Sequence, residues 1–133
     1  MNASRVENPR TGEQVEFESE TPERLVMHST WTRPGHRALA HIHPQMEERF
    51  EILEGTAAFS IDGREFRATA GESVVVPPAT AHLAWNPTDE PVRLRITMRP
   101  ALCWAEFTRR LFAGEDPVRL LTEFTDEVVL PAR

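Results

Sequence analysis

No alternating run of apolar and polar residues in this chain outlasts about eight positions before a proline or glycine cuts it. Eleven prolines and six glycines punctuate the 133 residues. Short period-two runs closed by turn formers are strands, and their spacing leaves little room for long helices before residue 100. Residues 6–8 and 14–18 alternate around the turn Pro9-Arg10-Thr11-Gly12, and 25–32 alternates until Pro34-Gly35. Further strands are expected at 36–43, 48–53, 73–76, 81–85 and 92–98. The runs 56–61 and 64–68 flank Asp62-Gly63, the strongest short-range hairpin signal present. Many short antiparallel strands imply an all-β sandwich or closed barrel rather than an open parallel sheet.

The pattern changes after residue 100. Trp104, Phe107, Leu111 and Phe112 recur near helical spacing and Gly114 stands as a stop, so a helix is expected within 101–113. Asp116-Pro117 suits the start of a second short helix reaching residue 124. The expected organisation is one domain over 1–133: N-terminal strands at 4–19, a barrel core over about 24–99 and a helical tail at 101–124.

Composition removes several function classes. A net charge of −6 disfavours nucleic acid as a partner, because neutralising phosphates requires a basic face. Lysine is absent, which excludes a Schiff-base mechanism, and no phosphate-binding P-loop pattern occurs. Tyrosine is absent too, so no phenol serves as acid or base. No stretch approaches the roughly 20 apolar residues of a membrane span. The first residues lack the apolar core of a secretory signal and Cys103 has no cysteine to pair with, so the cytoplasm is the expected compartment. No helix-turn-helix pattern flanks the strands.

The segment HIHPQMEERFEILEG, 41–55, carries the chemistry. Residues two apart on a strand share a face, so His41 and His43 present two imidazoles side by side. Across the Pro44 turn, either Glu47 or Glu48 could join them. Parity favours Glu48, because choosing Glu47 would turn Phe50 and Ile52 outward. A second segment, GESVVVPPATAHLAWN at 71–86, adds His82 after the Pro77-Pro78 turn.

Together the two segments resemble the cupin superfamily, as a small single-domain member. The first cupin motif, G-x5-H-x-H-x4-E-x6-G, is matched by Gly35, His41, His43, Glu48 and Gly55. The second, G-x5-P-x-G-x2-H-x3-N, is matched by Gly71, Pro77, His82 and Asn86, with Ala79 where the family has glycine. The resemblance covers Gly35 to about Met98. It implies an antiparallel double-stranded β-helix, or jelly-roll barrel, carrying one divalent metal on His41, His43, Glu48 and His82. Imidazole and carboxylate donors suit Fe, Mn, Ni, Zn or Cu, and four protein ligands on an octahedral ion leave two positions open. If Ala79 takes a positive φ, the alanine costs about 1 kcal/mol.

The remaining candidates carry weaker signals. His28 and His36 read as solvated groups or groups behind the ligands, and Cys103, beside Trp104, as a core or interface thiol. Arg93, Arg95 and Arg99 form a solvated or interface face. The run 73–76 is apolar on both faces, while Leu83 and Trp85 point away from His82, so a homodimer is expected to cover the outer side. Phe50, Ile52, Phe59, Phe66 and Met98 would line the interior, favouring a small apolar or aromatic ligand. The expected function is that of a metal-dependent enzyme, a dioxygenase-like oxidoreductase first and an isomerase or cyclase next. The alternative is a noncatalytic metal-containing binding module. No general acid or base is identified from the sequence.

Overall fold

The computed structural model describes residues 4–35 and 39–132. Among the described residues, nine strands and two helices run in the order β1 (Arg5–Glu7), β2 (Gln14–Glu20), β3 (Leu25–Trp31), β4 (Glu47–Glu54), β5 (Thr56–Ile61), β6 (Arg64–Thr69), β7 (Ser73–Val76), β8 (His82–Trp85), β9 (Val92–Arg99), α1 (Trp104–Phe112) and α2 (Pro117–Glu123). Every strand pairing is antiparallel. One sheet has the order β1-β2-β3-β9-β4-β7 and the other β6-β5-β8. The fold is therefore all-β, as the strand pattern implied, and it is the jelly roll that the family resemblance implied. No helix among the described residues is long and apolar enough to cross a membrane.

Strand alternation sorts the side chains. On β4, Glu48, Phe50 and Ile52 are buried while Glu47 and Arg49 are exposed. Directly opposite on β9 stand Met98, Ile96 and Leu94, and beyond them on β3 stand Leu25, Met27 and Ser29. These rows form the inner face of the larger sheet. Phe59 of the smaller sheet meets them, its ring 5.1 Å from that of Phe50 and stacked 5.6 Å from that of Phe66. Outward-facing charges pair on the other side: Arg95 bonds to Glu51 at 3.0 Å and to Glu18 at 3.1 Å, while Arg93 and Arg99 are exposed. The arginine alternation is thus a solvated face. His28 belongs to it as well, 2.6 Å from Glu18, and so stands away from the ligands; His36 lies outside the described residues.

The turns follow the sequence signals. Gly55 has φ of 85°, and a Cβ there would come within 2.6 Å of the Pro91 carbonyl oxygen, so no other residue fits without displacing backbone. Asn86 is a staple: its amide donates to the carbonyls of Trp31 and Glu90, and its Oδ1 accepts from Thr88. Of the strand expected at 36–43, residues 36–38 lie outside the described residues, and no strand forms over 39–43. Only His41 and Ile42 make isolated bridges, to His82 and Val129, and Pro44 offers no backbone donor to prolong the ladder. Helix α1 starts three residues later than expected, after Leu102 at φ of 53°, and α2 is capped by Asp116, whose side chain accepts from the Val118 amide. Cys103 is exposed at the start of α1 rather than packed in the core, because the buried side of that helix is taken by Ala105, Phe107, Thr108 and Phe112.

Ala79 has φ of 61°, in the left-handed region, and its amide donates 2.8 Å to the His43 carbonyl. The turn that redirects the chain into β8 therefore keeps its shape despite the missing glycine. The left-handed alanine costs about 1 kcal/mol, against which glycine would add about 0.5 kcal/mol of unfolded-chain entropy. Ala79→Gly is expected to raise stability by about 0.5 kcal/mol, read as a higher urea midpoint with an unchanged slope.

Candidate metal centre

Four side chains converge at one end of the interior. His41 arrives on the bridge to His82, His43 follows it toward Pro44, Glu48 is the second residue of β4 and His82 opens β8. Their ligand atoms all lie within 4.8 Å of one another. With metal bonds of about 2.1 Å, ligands on opposite sides of one ion stand about 4.2 Å apart, so one ion fits this envelope. Glu48 Oε1 is 3.2 Å from His43 Nε2 and 3.1 Å from His82 Nε2. The Glu47 alternative is removed by its exposure.

Each imidazole is held from behind by a backbone carbonyl. His41 Nδ1 is 3.0 Å from the Leu39 oxygen, His43 Nδ1 is 2.8 Å from that of Glu127, and His82 Nδ1 is 2.9 Å from that of Thr80. A carbonyl only accepts, so each Nδ1 carries the hydrogen and each neutral ring turns a bare Nε2 lone pair inward. His43 Nε2 is buried with no hydrogen-bond partner. Lone pairs aimed at a carboxylate oxygen repel unless a cation or a proton lies between them. The donor set, three imidazole nitrogens and one carboxylate, suits a divalent transition metal.

Without an ion, a proton takes that place. Burial drives the Glu48 pKa up, but the facing imidazoles of His43 and His82, once protonated, outweigh it and hold the carboxyl below its usual range. Burial likewise opposes charge on His82, yet the Glu48 hydrogen bond prevails and its pKa is raised. His41 is pushed down to about 4, by burial first and then by the charge of His82.

The tail supports the site from outside. Ile42 and Val129 exchange backbone hydrogen bonds at 2.8 and 2.9 Å, which sets the Glu127 carbonyl against His43. The Glu127 carboxylate accepts from the Cys103 amide at 3.1 Å, joining the tail to the start of α1. Trp104 of that helix packs edge-on against the His43 ring, with centroids 4.8 Å apart, and stacks on Phe107. Phe107, Leu120, Phe124 and Val128 form a small second core beneath. The helical tail is thus part of the frame of this histidine–glutamate cluster.

The matched family is the cupin domain, over residues 32–99. Just over half of the chain is covered, and the chain belongs to this family. Among curated proteins it is 32% identical over 68 residues to the polyketide synthase CurC of Streptomyces cyaneus, covering 51% of this chain and 44% of that protein. The chain spans about half the length of the curated relatives that head the comparison. Among solved structures, an RmlC-like cupin from Shewanella frigidimarina superposes with a TM-score of 0.64 at 25% identity, over 72% of this chain and 83% of that one. A sugar phosphate isomerase of the cupin superfamily from Silicibacter pomeroyi superposes with a TM-score of 0.59 at 20% identity, over 66% and 59%.

One further ionisable group on the inner face was not found from sequence. Glu13 immediately precedes β2, in phase with Val15 and Phe17, whose partners on β3 are Ser29 and Met27. That alternation was legible, since a carboxylate two residues before a buried valine shares its face. Glu13 is half-buried, and Trp31 Nε1 donates to its Oε2 at 3.1 Å. Its pKa is raised to about 7, chiefly by burial and further by the charge of Glu48, against the Trp31 hydrogen bond.

A raised carboxyl pKa has a definite sign in stability. Between about pH 4.5 and pH 7 the unfolded carboxyl is ionised while the folded one keeps its proton, so stability falls as pH rises through that window. Metal-free wild-type protein is expected to lose more melting temperature between about pH 5 and pH 8 than Glu13→Gln. Equal losses in the two proteins would remove Glu13 as the source.

Proposed function

We propose that this cupin is a metal-dependent enzyme acting on a small apolar or aromatic molecule, with dioxygenase-like chemistry as the leading assignment. The observation that carries the proposal is the convergence of three inward Nε2 lone pairs on a buried carboxylate. His41, His43, Glu48 and His82 would hold one divalent ion, drawn from Fe, Mn, Ni, Zn or Cu. When bound, such an ion supplies Lewis acidity and, if redox-active, access to dioxygen chemistry at its open positions. The chain's own part is to fix the ligands: the carbonyls of Leu39, Glu127 and Thr80 hold the rings in one tautomer.

Phe50, Ile52, Phe59 and Met98 are buried in the interior and Phe66 is half-buried beside them. We assign them to the wall that faces a ligand, which supports an apolar or aromatic one. Isomerase or cyclase chemistry is the second reading, and the CurC relationship favours it. Polyketides carry regularly spaced carbonyls, and a Lewis acid that polarises a carbonyl promotes ring closure or double-bond migration.

Metal analysis of protein purified without chelator is expected to give one ion per chain, and His82→Ala is expected to lose it while retaining its β-type circular dichroism. Oxygen consumption by Fe(II)-loaded protein with small phenols or diketones would establish the oxygenase. Conversion of diketones without oxygen would establish the second reading, whereas bound metal without turnover in either assay would leave a binding module. The proposal includes a homodimer, supported by Val75 on the edge strand β7, which is 44% exposed. Light scattering at micromolar concentration is expected to give twice the 15.1 kDa chain mass, and the monomer mass would remove it.

A further inference from the structure

Three side chains on the inner face of β2 and β3 stand apart from the metal ligands. Glu13, Ser29 and Trp31 alternate in register with core residues: Val15 pairs with Ser29, and both are 2% exposed. An aliphatic wall here would be the bland solution. Instead the chain places a carboxyl group and a hydroxyl inside, at the cost of dehydrating both. The Ser29 hydroxyl is buried without a hydrogen-bond partner, and it acts on the Glu13 carboxyl beside it. Oε2 of Glu13 is tied by the indole of Trp31.

We propose that Glu13 is the proton acceptor and donor for the molecule bound in the barrel interior, and that this molecule carries an enolisable carbonyl. The assignment rests on the metal-dependent reading above and adds the acid–base group that reading lacks. In the step assigned to Glu13, the C–H bond next to the carbonyl breaks, or the O–H bond of the enol. The proton passes to the Glu13 carboxylate, and the electron pair stays on the ligand as an enolate oxygen. Returning that proton to a different carbon yields an isomer and restores the carboxylate. In an oxygenase the same proton transfer leaves an electron-rich ligand ready for oxidation.

The surroundings suit this role. A general base works best with a pKa near the working pH, and Glu13, raised to about 7, meets that condition. The groups acting on it are Trp31 and Ser29 from β3 and Glu48 from β4. A cation at Glu48 would offset that residue's charge, but the leading cause, burial, is independent of what the metal ligands hold. The Trp31 indole fixes one carboxyl oxygen, Oε2, and the unpartnered Ser29 hydroxyl stands on the same inner face.

The test counts protons rather than turnover. Zinc binding is measured first, by titration. Acetylacetone, which binds metals as its enolate, is then titrated calorimetrically into zinc-loaded protein at about pH 8 in two buffers of different ionisation enthalpy. Wild type is expected to release about 0 protons per probe, because Glu13 takes up the proton, and Glu13→Gln about 1. As a check independent of any variant, the carboxyl 13C signal of Glu13 in wild type is expected to move to its protonated position as the probe binds. Equal proton release, an unmoved signal, or zinc-loaded protein that does not bind the probe would overturn the role of Glu13 and leave the metal reading standing. Failure of zinc to bind would overturn both.

Discussion

A carboxylate as enclosed as that of Glu48 keeps its charge only because two imidazoles face it within 3.2 Å and hold a proton or a cation between themselves and its oxygen. Glu48 is flanked in the sheet by Met98 on one side and Val76 on the other, so its own strand neighbours give no compensation. The compensation must come from the opposite wall, and this condition draws the two sheets together at that end. Strand β8 delivers His82 and the bridge at His41 delivers the rest of the triad. Removing one partner of such a group is costly because the other is left charged in an apolar cavity. The jelly roll brings distant strand ends into one volume, and the ligand set uses that proximity.

Local chemistry made much of this readable from sequence. The Asp62-Gly63 hairpin, the alternation of Glu48, Phe50 and Ile52 and the spacing of the two histidine segments are all patterns within about 15 residues. Glu48 was separable from Glu47 for one reason: a strand has two faces, and the apolar neighbours declare which is inside. The same rule would have exposed Glu13, in phase with Val15, had the polar member of an apolar face been treated as a signal in its own right. Cys103 went the other way, since its type suggested the core while helix phase put it outside.

Contacts between remote segments were not readable. Nothing in residues 124–129 announces that the carbonyl of Glu127 bonds to His43, because backbone carbonyls are the same in every residue. Over its described part, residues 39–43, the strand expected across 36–43 failed for a related reason. A segment whose partners are single residues of β8 and the tail satisfies its backbone piecemeal, and no local period records that. Ala79 shows the opposite limit: its departure from the glycine of the second motif was visible, but only the structure shows that the left-handed turn is kept.

The strap formed by Ile42 and Val129 has a consequence for how the protein is made. All four ligands lie at or before His82, yet the ring of His43 is oriented by a residue that leaves the ribosome well after His82 does. A nascent chain can display every donor and still lack the geometry that binds an ion tightly, because the tail has not yet docked. Any ion the cluster takes would thereby be held tightly only once residues 127–129 have docked, and a copy terminated before them would compete poorly for it.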